Sequence, residues 1–464
     1  MFCIVFLFSF CACHRNGKGN LDNKGGSEVV SKPINIPYSR EEGLNPYQCR
    51  SLINYCIMPL MYGSLYRIDR SYYPEADIAV SYEYKNLTFN VKIDTSRKFS
   101  NGRYITPEDV VYSFRAAKQS SIYASMLRYV STAVELSEDE VQFVTAVPDY
   151  YAASDLTFPI IPADSGNIPA SSGPYIYKST TDGGTLTRNK QYPKNDFTAT
   201  TINLINTTDT TSLNMGLVIG TIDAWYDEMK TGESKRIASG AAQVDLNNLV
   251  YLGFNYAKYF GDEKLRQAIA IALDKQAILE SGYEGYGQAT NVPFNPLWYA
   301  ADGVAWEAPM TVDEAKEYIT ERLDHYTVTL LITDGNGFRL KCAQRISDQF
   351  AELGVETKID VAGRELFDDA LENGRYDIYI GEYKMSNDML SSSLYWMDAE
   401  VQAKHFGMIS GSVTPSEFMV AFTASQPIIP LVIRYGVVSY SKSLQGGVEP
   451  LPNNPFANLS QWYK

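Results

Sequence analysis

The side chains most often used in catalysis are few in this chain and do not form a catalytic set. The three His residues, His14, His325 and His405, include no pair with the spacing of metal ligands. The segments 439–442 and 230–232 each match part of a penicillin-binding signature, but their order is reversed and its Ser-Asp-Asn element is missing. No Gly-x-Ser-x-Gly segment occurs. The sequence therefore predicts a protein that is not an enzyme, with no metal site and no cofactor.

Composition excludes two classes of partner. The formal net charge is −14 and the pI is near 4.9, which opposes binding to nucleic-acid phosphates and gives no attraction to anionic lipid. With 464 residues, of which 45% are apolar, the chain is long enough for two or three domains with cores. The 34 tyrosines offer amphipathic contact area for a ligand, although a single Tyr more often serves a strand or a core edge. No phosphate-binding loop occurs, so any ATP use belongs to a partner.

The N-terminus has the pattern of a lipoprotein signal. Residues 2–12 are apolar over about the length of a signal-peptide core, which is too short to span a bilayer. Ala12 precedes Cys13, although no basic residue stands before the apolar run and Phe10 replaces the usual Leu. We predict a signal over 1–13, removal of residues 1–12 and lipidation of Cys13. Residues 14–32 are polar and Gly-rich, which predicts a flexible tether that reaches roughly 25 Å.

The remaining cysteines are predicted to be buried thiols. Cys49 and Cys56 are seven residues apart in a predicted helix, so they share a face but lie about 10 Å apart, beyond disulfide reach. Cys342 falls in a different helix.

Alternating strands and helices are expected in the second half of the chain. The predicted elements are the strand 328–333, the helix 339–353, the strand 355–361, the helix 364–373 and the strand 376–382. This alternation implies parallel strands with crossover helices.

Two helix starts are well marked. Thr106 can cap a helix that has Pro107 in its first turn and Asp109 at the third position. The apolar strand 249–255 leads into an amphipathic helix that we expect Asp262 to begin and Gly282 to end.

The residues in these elements also carry a family pattern. The strand ends in Phe-Asn at 254–255, and the helix reads Arg-Gln-Ala at 266–268 and Ala-Leu-Asp-Lys at 272–275. Residues 98–113 contain Lys-Phe-Ser-Asn-Gly followed by Thr106, Glu108, Asp109, Val110 and Ser113. Gly-Pro-Tyr follows at 173–175. The chain resembles, from about residue 43 to its end, the family 5 extracellular solute-binding proteins, the oligopeptide- and dipeptide-binding receptors of ABC importers.

The resemblance implies an α/β, two-lobe fold like that of the class II periplasmic binding proteins, with an extra inserted subdomain. Lobe I would comprise 33–58, 168–247 and 435–464, the inserted subdomain 59–167, and lobe II 248–434. We expect the chain crossings near 248–250 and 434–436 to form a hinge.

The resemblance also implies a function. The protein would be a lipid-anchored monomer on the extracytoplasmic face of the cell membrane, which binds a peptide between the lobes and delivers it to ABC permease subunits with their ATPases. Three alternatives remain: the same fold with a sugar, a metal chelate or another non-peptide solute, a peptide-sensing receptor without transport, and, with least support, an extracellular hydrolase.

Ligand contacts are expected from the strand ends and loops that face the cleft. Where the family carries an Asp that binds the peptide's amino terminus, this chain has Met385, so Glu382 or Asp388 would supply the negative charge, with Tyr383 beside them. Family dipeptide receptors hold the ligand carboxylate with an Arg at the start of the helix that aligns with 339–353. Arg339 and Lys341 are the candidates, and the proposed aromatic walls are Trp225 and Trp396. For each of these residues, a role in the core or on the surface is the alternative.

Overall fold

The computed structural model describes residues 32–194, 196–230, 232, 240–395 and 397–464. The predicted signal 1–13 with Cys13, the tether up to residue 31, His14 and Trp396 lie outside these residues.

The strands form sheets of mixed type. In chain order they are β1 (Ile34–Tyr38), β2 (Tyr66–Ile68), β3 (Pro74–Ala76), β4 (Ala79–Lys85), β5 (Thr88–Ile93), β6 (Val130–Glu135), β7 (Glu140–Thr145), β8 (Tyr175–Thr180), β9 (Gly183–Arg188), β10 (Thr201–Asn206), β11 (Ala224–Asp227), β12 (Gly240–Phe254), β13 (Gly287–Ala289), β14 (Thr327–Thr333), β15 (Glu356–Ala362), β16 (Ile378–Lys384) and β17 (Ile429–Tyr440).

The helices lie mostly in the second half. In chain order they are α1 (Leu52–Tyr55), α2 (Met58–Met61), α3 (Pro107–Gln119), α4 (Thr210–Ile219), α5 (Glu263–Ala272), α6 (Lys275–Tyr283), α7 (Val312–Arg322), α8 (Gly337–Glu352), α9 (Arg364–Glu372), α10 (Ala399–Ile409) and α11 (Pro415–Ser425).

The largest sheet has the strand order β11-β17-β12-β16-β14-β15, with β13 paired to β17. Its β14 runs parallel to β15 and β16, as the alternation of helices and strands predicts, whereas β12 is antiparallel to β16 and β17. A second sheet has the order β1-β10-β9-β8, and a third, antiparallel sheet has the order β4-β5-β7-β6. The α/β class is therefore confirmed.

The sheets pack on several hydrophobic cores, and the two longest strands, β12 and β17, pass from one core to another. Val244 and Leu246 of β12 pack with the sheet that contains β1, whereas Val250 and Leu252 pack with α5, α6 and α8. Between them, the pairing of β12 with β17 shifts register after Asp245. This irregularity lies beside the first crossing expected to form a hinge.

The predicted elements of the second half are confirmed with small shifts at their ends. The helix start at Thr106 is also confirmed, since the backbone N–H of Thr106 donates to the Asp109 carboxylate at 2.9 Å. Cys49, Cys56 and Cys342 are buried and free, as predicted.

Two helix predictions were wrong in detail. The helix from Asp262 does not run to Gly282, because Asp274 accepts a hydrogen bond from Ala277 N at 2.9 Å and so begins a second helix, α6. Gly282 lies inside α6, where a Cβ would stand 3.0 Å from Cys342 Cα, so it permits close packing against α8. The chain leaves α6 instead at Glu284, whose φ is +53°.

The predicted helix around Cys49 and Cys56 is also absent from the described residues. Two one-turn helices, α1 and α2, stand there instead. Pro59 lies in the first turn of α2, a position that needs no backbone donor, so the chain restarts a helix there and does not continue one.

Candidate functional site

A charge network joins three neighbouring strands of the large sheet and the helix α8. On β16, Glu382 Oε1 accepts hydrogen bonds from Asn248 Nδ2 of β12 and from Arg434 Nη1 of β17, both at 2.6 Å. Its other oxygen lies 3.3 Å from Arg339 Nη2 of α8. Burial works to raise the pKa of Glu382, but Arg434, Asn248 and Arg339 outweigh it and hold that pKa below its ordinary value. Glu382 is therefore a carboxylate with its charge compensated.

Both arginines are fixed by further contacts. Arg434 Nη2 donates to the carbonyl oxygens of Glu228 and Met229 at 2.8 and 3.0 Å. The Arg339 guanidinium donates to the Thr333 hydroxyl. The structure thus brings together Glu382 and Arg339, which the sequence analysis assigns to opposite ends of the ligand.

Lys341 and Trp225 do not join this network. Lys341 follows Arg339 by two positions on α8, so it faces another direction and pairs with Glu284 at the surface. Trp225 is buried among Leu213, Leu217 and Ile222 in a small core beside α4.

Tyr383 bridges two parts of the molecule. Its hydroxyl accepts a hydrogen bond at 3.2 Å from Arg128 Nη1, which lies just before β6 on the inserted segment. A second bridge lies in the loop after β16, where Asn387 donates from its backbone N–H to Asp155 Oδ1 and from its amide to Ser154 O, each at 2.9 Å. This loop therefore lies against the segment that follows β7.

Asp388 is buried at the same contact. Two further acids, Asp149 and Asp155, are its neighbours there, and the sequence analysis does not identify them. The Asp388 side chain accepts hydrogen bonds from the Ser386 hydroxyl and from Leu390 N, the latter at 2.8 Å. Burial, and then the neighbouring Asp388, raise the pKa of Asp149 and of Asp155 well above the ordinary value. No local pattern marks the two acids, because they lie more than 230 residues from Asp388.

A cavity of about 330 Å³ lies near this contact. It is bounded by the α1–α2 region, the β8–β10 region, the inserted segment and the C-terminal residues 451–461, and Asn387 contributes from the loop after β16. Eight aromatic rings share its walls: Tyr55, Tyr62, Tyr66, Tyr123, Tyr175, Tyr192, Phe197 and Phe456. The abundance of Tyr is the sequence signal for such a surface, but it gives no positions.

The described residues contain no group of three or more His, Cys, Asp or Glu that could hold a metal ion. His405 is buried, which lowers its pKa to about 4, and its Nε2 lies 3.2 Å from the carbonyl oxygen of Met389. His325 is exposed. None of the helices in the described ranges is long and apolar enough to cross a bilayer.

Comparison with known proteins agrees with this architecture. The sequence profile of the bacterial extracellular solute-binding proteins, family 5 (middle region), matches residues 74–404. The unliganded open form of the periplasmic murein tripeptide-binding protein MppA superposes with a TM-score of 0.74 at 14% identity, over 94% of this chain and 98% of that one. The chain thus has the two-lobe α/β fold of a solute-binding protein, and it belongs to family 5 of the bacterial extracellular solute-binding proteins.

Two curated relatives show the range of proteins to which the sequence is similar. The oligopeptide-binding protein AppA of Bacillus subtilis is 25% identical over 59% of this chain and 58% of its own length. Heme-binding protein A of Haemophilus influenzae is 23% identical over 61% of this chain and 59% of its own length. The chain thus matches about three fifths of the length of these relatives.

Proposed function

We propose that the protein is the extracytoplasmic receptor of an ABC importer and that it binds peptides in the cleft between its lobes. Membership of family 5 supports the receptor role, and the name of the AppA relative supports a peptide ligand. The observation that carries the proposal is the position of Glu382, Tyr383 and Asp388. They lie along one strand and its following loop, where the large sheet meets the inserted segment through Arg128 and Asp155. Ligand sites form preferentially at such meetings of domains.

Within this site, Glu382 or Asp388 would bind the peptide's amino group, and Arg339 or Lys341 its carboxylate. Glu382 and Arg339 pair with each other, so a peptide with two charged ends would exchange that contact for two new ones. Met385 is buried and uncharged, which leaves these acids as the candidates. Tyr383 is the aromatic contact that we propose, together with Trp396, which lies outside the described residues. Trp225 stays a proposed aromatic wall, and its burial beside α4 makes core packing the alternative.

The lobe boundaries in the sequence analysis stay part of the proposal. Lobe I, formed by 33–58, 168–247 and 435–464, would move against lobe II, 248–434, and carry the inserted subdomain 59–167 with it. The passage of β12 and β17 from one core to the other supports a hinge at these strands. Lipidation of Cys13, delivery to permease subunits and a position at the extracytoplasmic membrane face complete the proposal.

A non-peptide solute is the second candidate. Met385 at the family's Asp position and the name of the heme-binding relative favour it. A peptide sensor without transport would use the same cleft, and an extracellular hydrolase has no support from the described residues.

Native mass spectrometry of the purified full chain tests the proposal, because receptors of this kind retain ligand through purification when dissociation is slow. A retained mass that fragments into amino acids, together with calorimetric binding of synthetic peptides, supports a peptide receptor. A retained sugar, chelate or porphyrin with no peptide binding supports the second candidate. Uptake of the same peptide by cells, and its loss on deletion of the neighbouring permease, separates transport from sensing.

A further inference from the structure

The cavity beside the loop after β16 is separate from the charge network on β16, β12 and β17. Glu382, Arg339, Lys341 and Tyr383 do not line it, whereas Asn387 does. Asn387 immediately precedes Asp388, so the cavity adjoins the segment on which the proposed function places the ligand. Its volume is at the lower end of the range for ligand pockets.

Three tyrosines in the walls of the cavity already use their hydroxyl groups, whereas Tyr66 Oη and Asn454 Oδ1 are buried in the lining without a hydrogen-bond partner. The Tyr175 hydroxyl donates to Ala199 O at 2.7 Å, and the Tyr62 hydroxyl donates to Leu44 O at 3.0 Å. The Tyr192 hydroxyl accepts a hydrogen bond from Arg67 Nη2 at 2.7 Å. These side chains therefore present carbon surface to the cavity and not free hydroxyl groups.

The rings also form a preorganised stack. The ring centroids of Tyr175 and Phe197 are 5.5 Å apart with planes at 16°, and those of Tyr192 and Phe197 are 6.2 Å apart with planes at 26°. Tyr55 and Tyr123 form a second pair with centroids 5.9 Å apart. A planar apolar group between these pairs would gain stacking or edge contacts at little ordering cost.

Charges within the lining are compensated. The Arg67 guanidinium binds Asp77 Oδ2 at 2.9 Å as well as Tyr192. Lys194 and Asp196, which have opposite charges, are exposed at the edge. The interior thus has no unpaired charge among the described lining residues to attract a charged group.

We infer that this cavity is a specificity pocket of the receptor and that it takes an aromatic or large apolar side chain of the bound peptide. The inference rests on the proposed function, because it presumes that the ligand is a peptide seated beside the loop after β16. It goes beyond that function by assigning a side-chain preference and a place for it.

The test measures calorimetric affinity of the full chain for tetra-alanine and for the four tetrapeptides in which one Ala is replaced by Phe. At least one Phe peptide should bind ten-fold or more tightly than tetra-alanine. Ala457→Trp fills the cavity from the C-terminal segment and should abolish that preference. Met126→Trp fills the cavity from the inserted segment and replaces Ala457→Trp in the test if that variant does not fold. Val420→Trp adds the same side chain at an exposed position of α11 and should leave the preference intact.

Failure of the inference and failure of the proposed function are distinguishable. If the alanine and Phe peptides bind equally, or if the preference persists in both filled variants, the pocket is overturned and the peptide receptor stands. If no peptide binds, the proposed function fails, and N-acetyl-L-tyrosinamide then tests the cavity alone. Binding of that probe to wild type and to Val420→Trp, with loss in the filled variants, supports an aromatic site, whereas no binding overturns it.

Discussion

Glu382 Oε1 on β16 lies 2.6 Å from Arg434 Nη1 on β17, across β12, the strand that lies between them in the large sheet. Arg434 is almost fully buried, with 4% of its side chain exposed, so Glu382 supplies the compensating charge inside the fold. The contact makes Glu382 a structural residue as well as a candidate ligand contact.

Glu382→Gln should therefore lower stability as well as affinity. The substitution leaves Arg434 buried without its carboxylate, which costs about 3–5 kcal/mol for a buried pair. Thermal denaturation without ligand should show a clearly lower melting temperature. Asp368→Asn is the matched control, because Asp368 pairs with Arg364 at the surface, where ion pairs contribute little. Equal melting temperatures for the two variants would show that Glu382 does not stabilise the fold.

Asp149 should make the protein less stable as pH rises. Its pKa in the folded state lies above the ordinary value, near 3.9, because burial and Asp388 oppose its ionisation. The folded state therefore holds more protons than the unfolded state, so this group's contribution to stability is most favourable below about pH 4 and declines as pH rises through the folded pKa.

Asp149→Asn removes that titration and keeps an oxygen for the hydrogen bond from Tyr151 N, which is 2.9 Å long. Its free energy of unfolding should exceed that of wild type by an amount that grows from pH 4.5 to pH 7.5. Urea denaturation across this range measures the difference. Asp302→Asn, at an exposed position, should give a difference that is flat with pH. A flat difference for Asp149→Asn as well would contradict the prediction.

We expect ligand binding to close the two lobes by a hinge motion where the pairing of β12 with β17 shifts register after Asp245. Asn247, at this point of β12, has a φ of +54°. Its side-chain amide donates to Met385 O and Ser386 O at 3.3 and 2.9 Å, so it links β12 to the loop after β16. Solution scattering should show a smaller radius of gyration at saturating ligand. An unchanged profile would count against closure.

Asn247→Ala and Asn247→Gly separate backbone from side chain at this point. Both lose the amide contacts, but Gly accepts a positive φ without strain and Ala does not. We expect Asn247→Ala to weaken ligand binding more than Asn247→Gly. Equal binding by the two variants would assign the effect to the amide alone.

Cys13 lies outside the described residues, and its prediction rests on the apolar leader that ends at Ala12. Cys13→Ser should release the protein from the membrane fraction, and globomycin-type inhibition should lead to accumulation of the uncleaved form. Membrane association that survives both treatments would refute lipidation of Cys13.

The sequence predicts features that depend on residues close together in the chain, but not features that depend on residues brought together by folding. The helix start at Thr106 and Asp109 is readable because its partners are three residues apart. The break between α5 and α6 was missed because Asp274 serves both a family pattern and a cap, and the helical periodicity continues across it. Asp149 and Asp388 become neighbours through tertiary packing alone, so no local pattern could have predicted their shared burial.

For the same reason, the sequence does not decide which acid, Glu382 or Asp388, binds the amino group of the peptide. Breaking a buried ion pair between an acid and a peptide ammonium costs about 3–5 kcal/mol, or roughly two orders of magnitude or more in affinity. N-acetylation removes that charge from the ligand and leaves the protein unchanged. Wild type should therefore bind an N-acetylated peptide at least a hundred-fold more weakly than the free peptide.

Two variants identify the acid. If Glu382 binds the ammonium, Glu382→Gln should bind free peptide weakly, and acetylation should weaken it little further. Asp388→Asn should then keep the full acetylation penalty, and the pattern reverses if Asp388 is the contact. Arg339→Ala provides the control at the other end, since it should lose affinity for free and acetylated peptides by the same factor. Equal affinity of wild type for both peptides would mean that no acid binds an amine, so that the ligand is an internal peptide segment or a non-peptide solute.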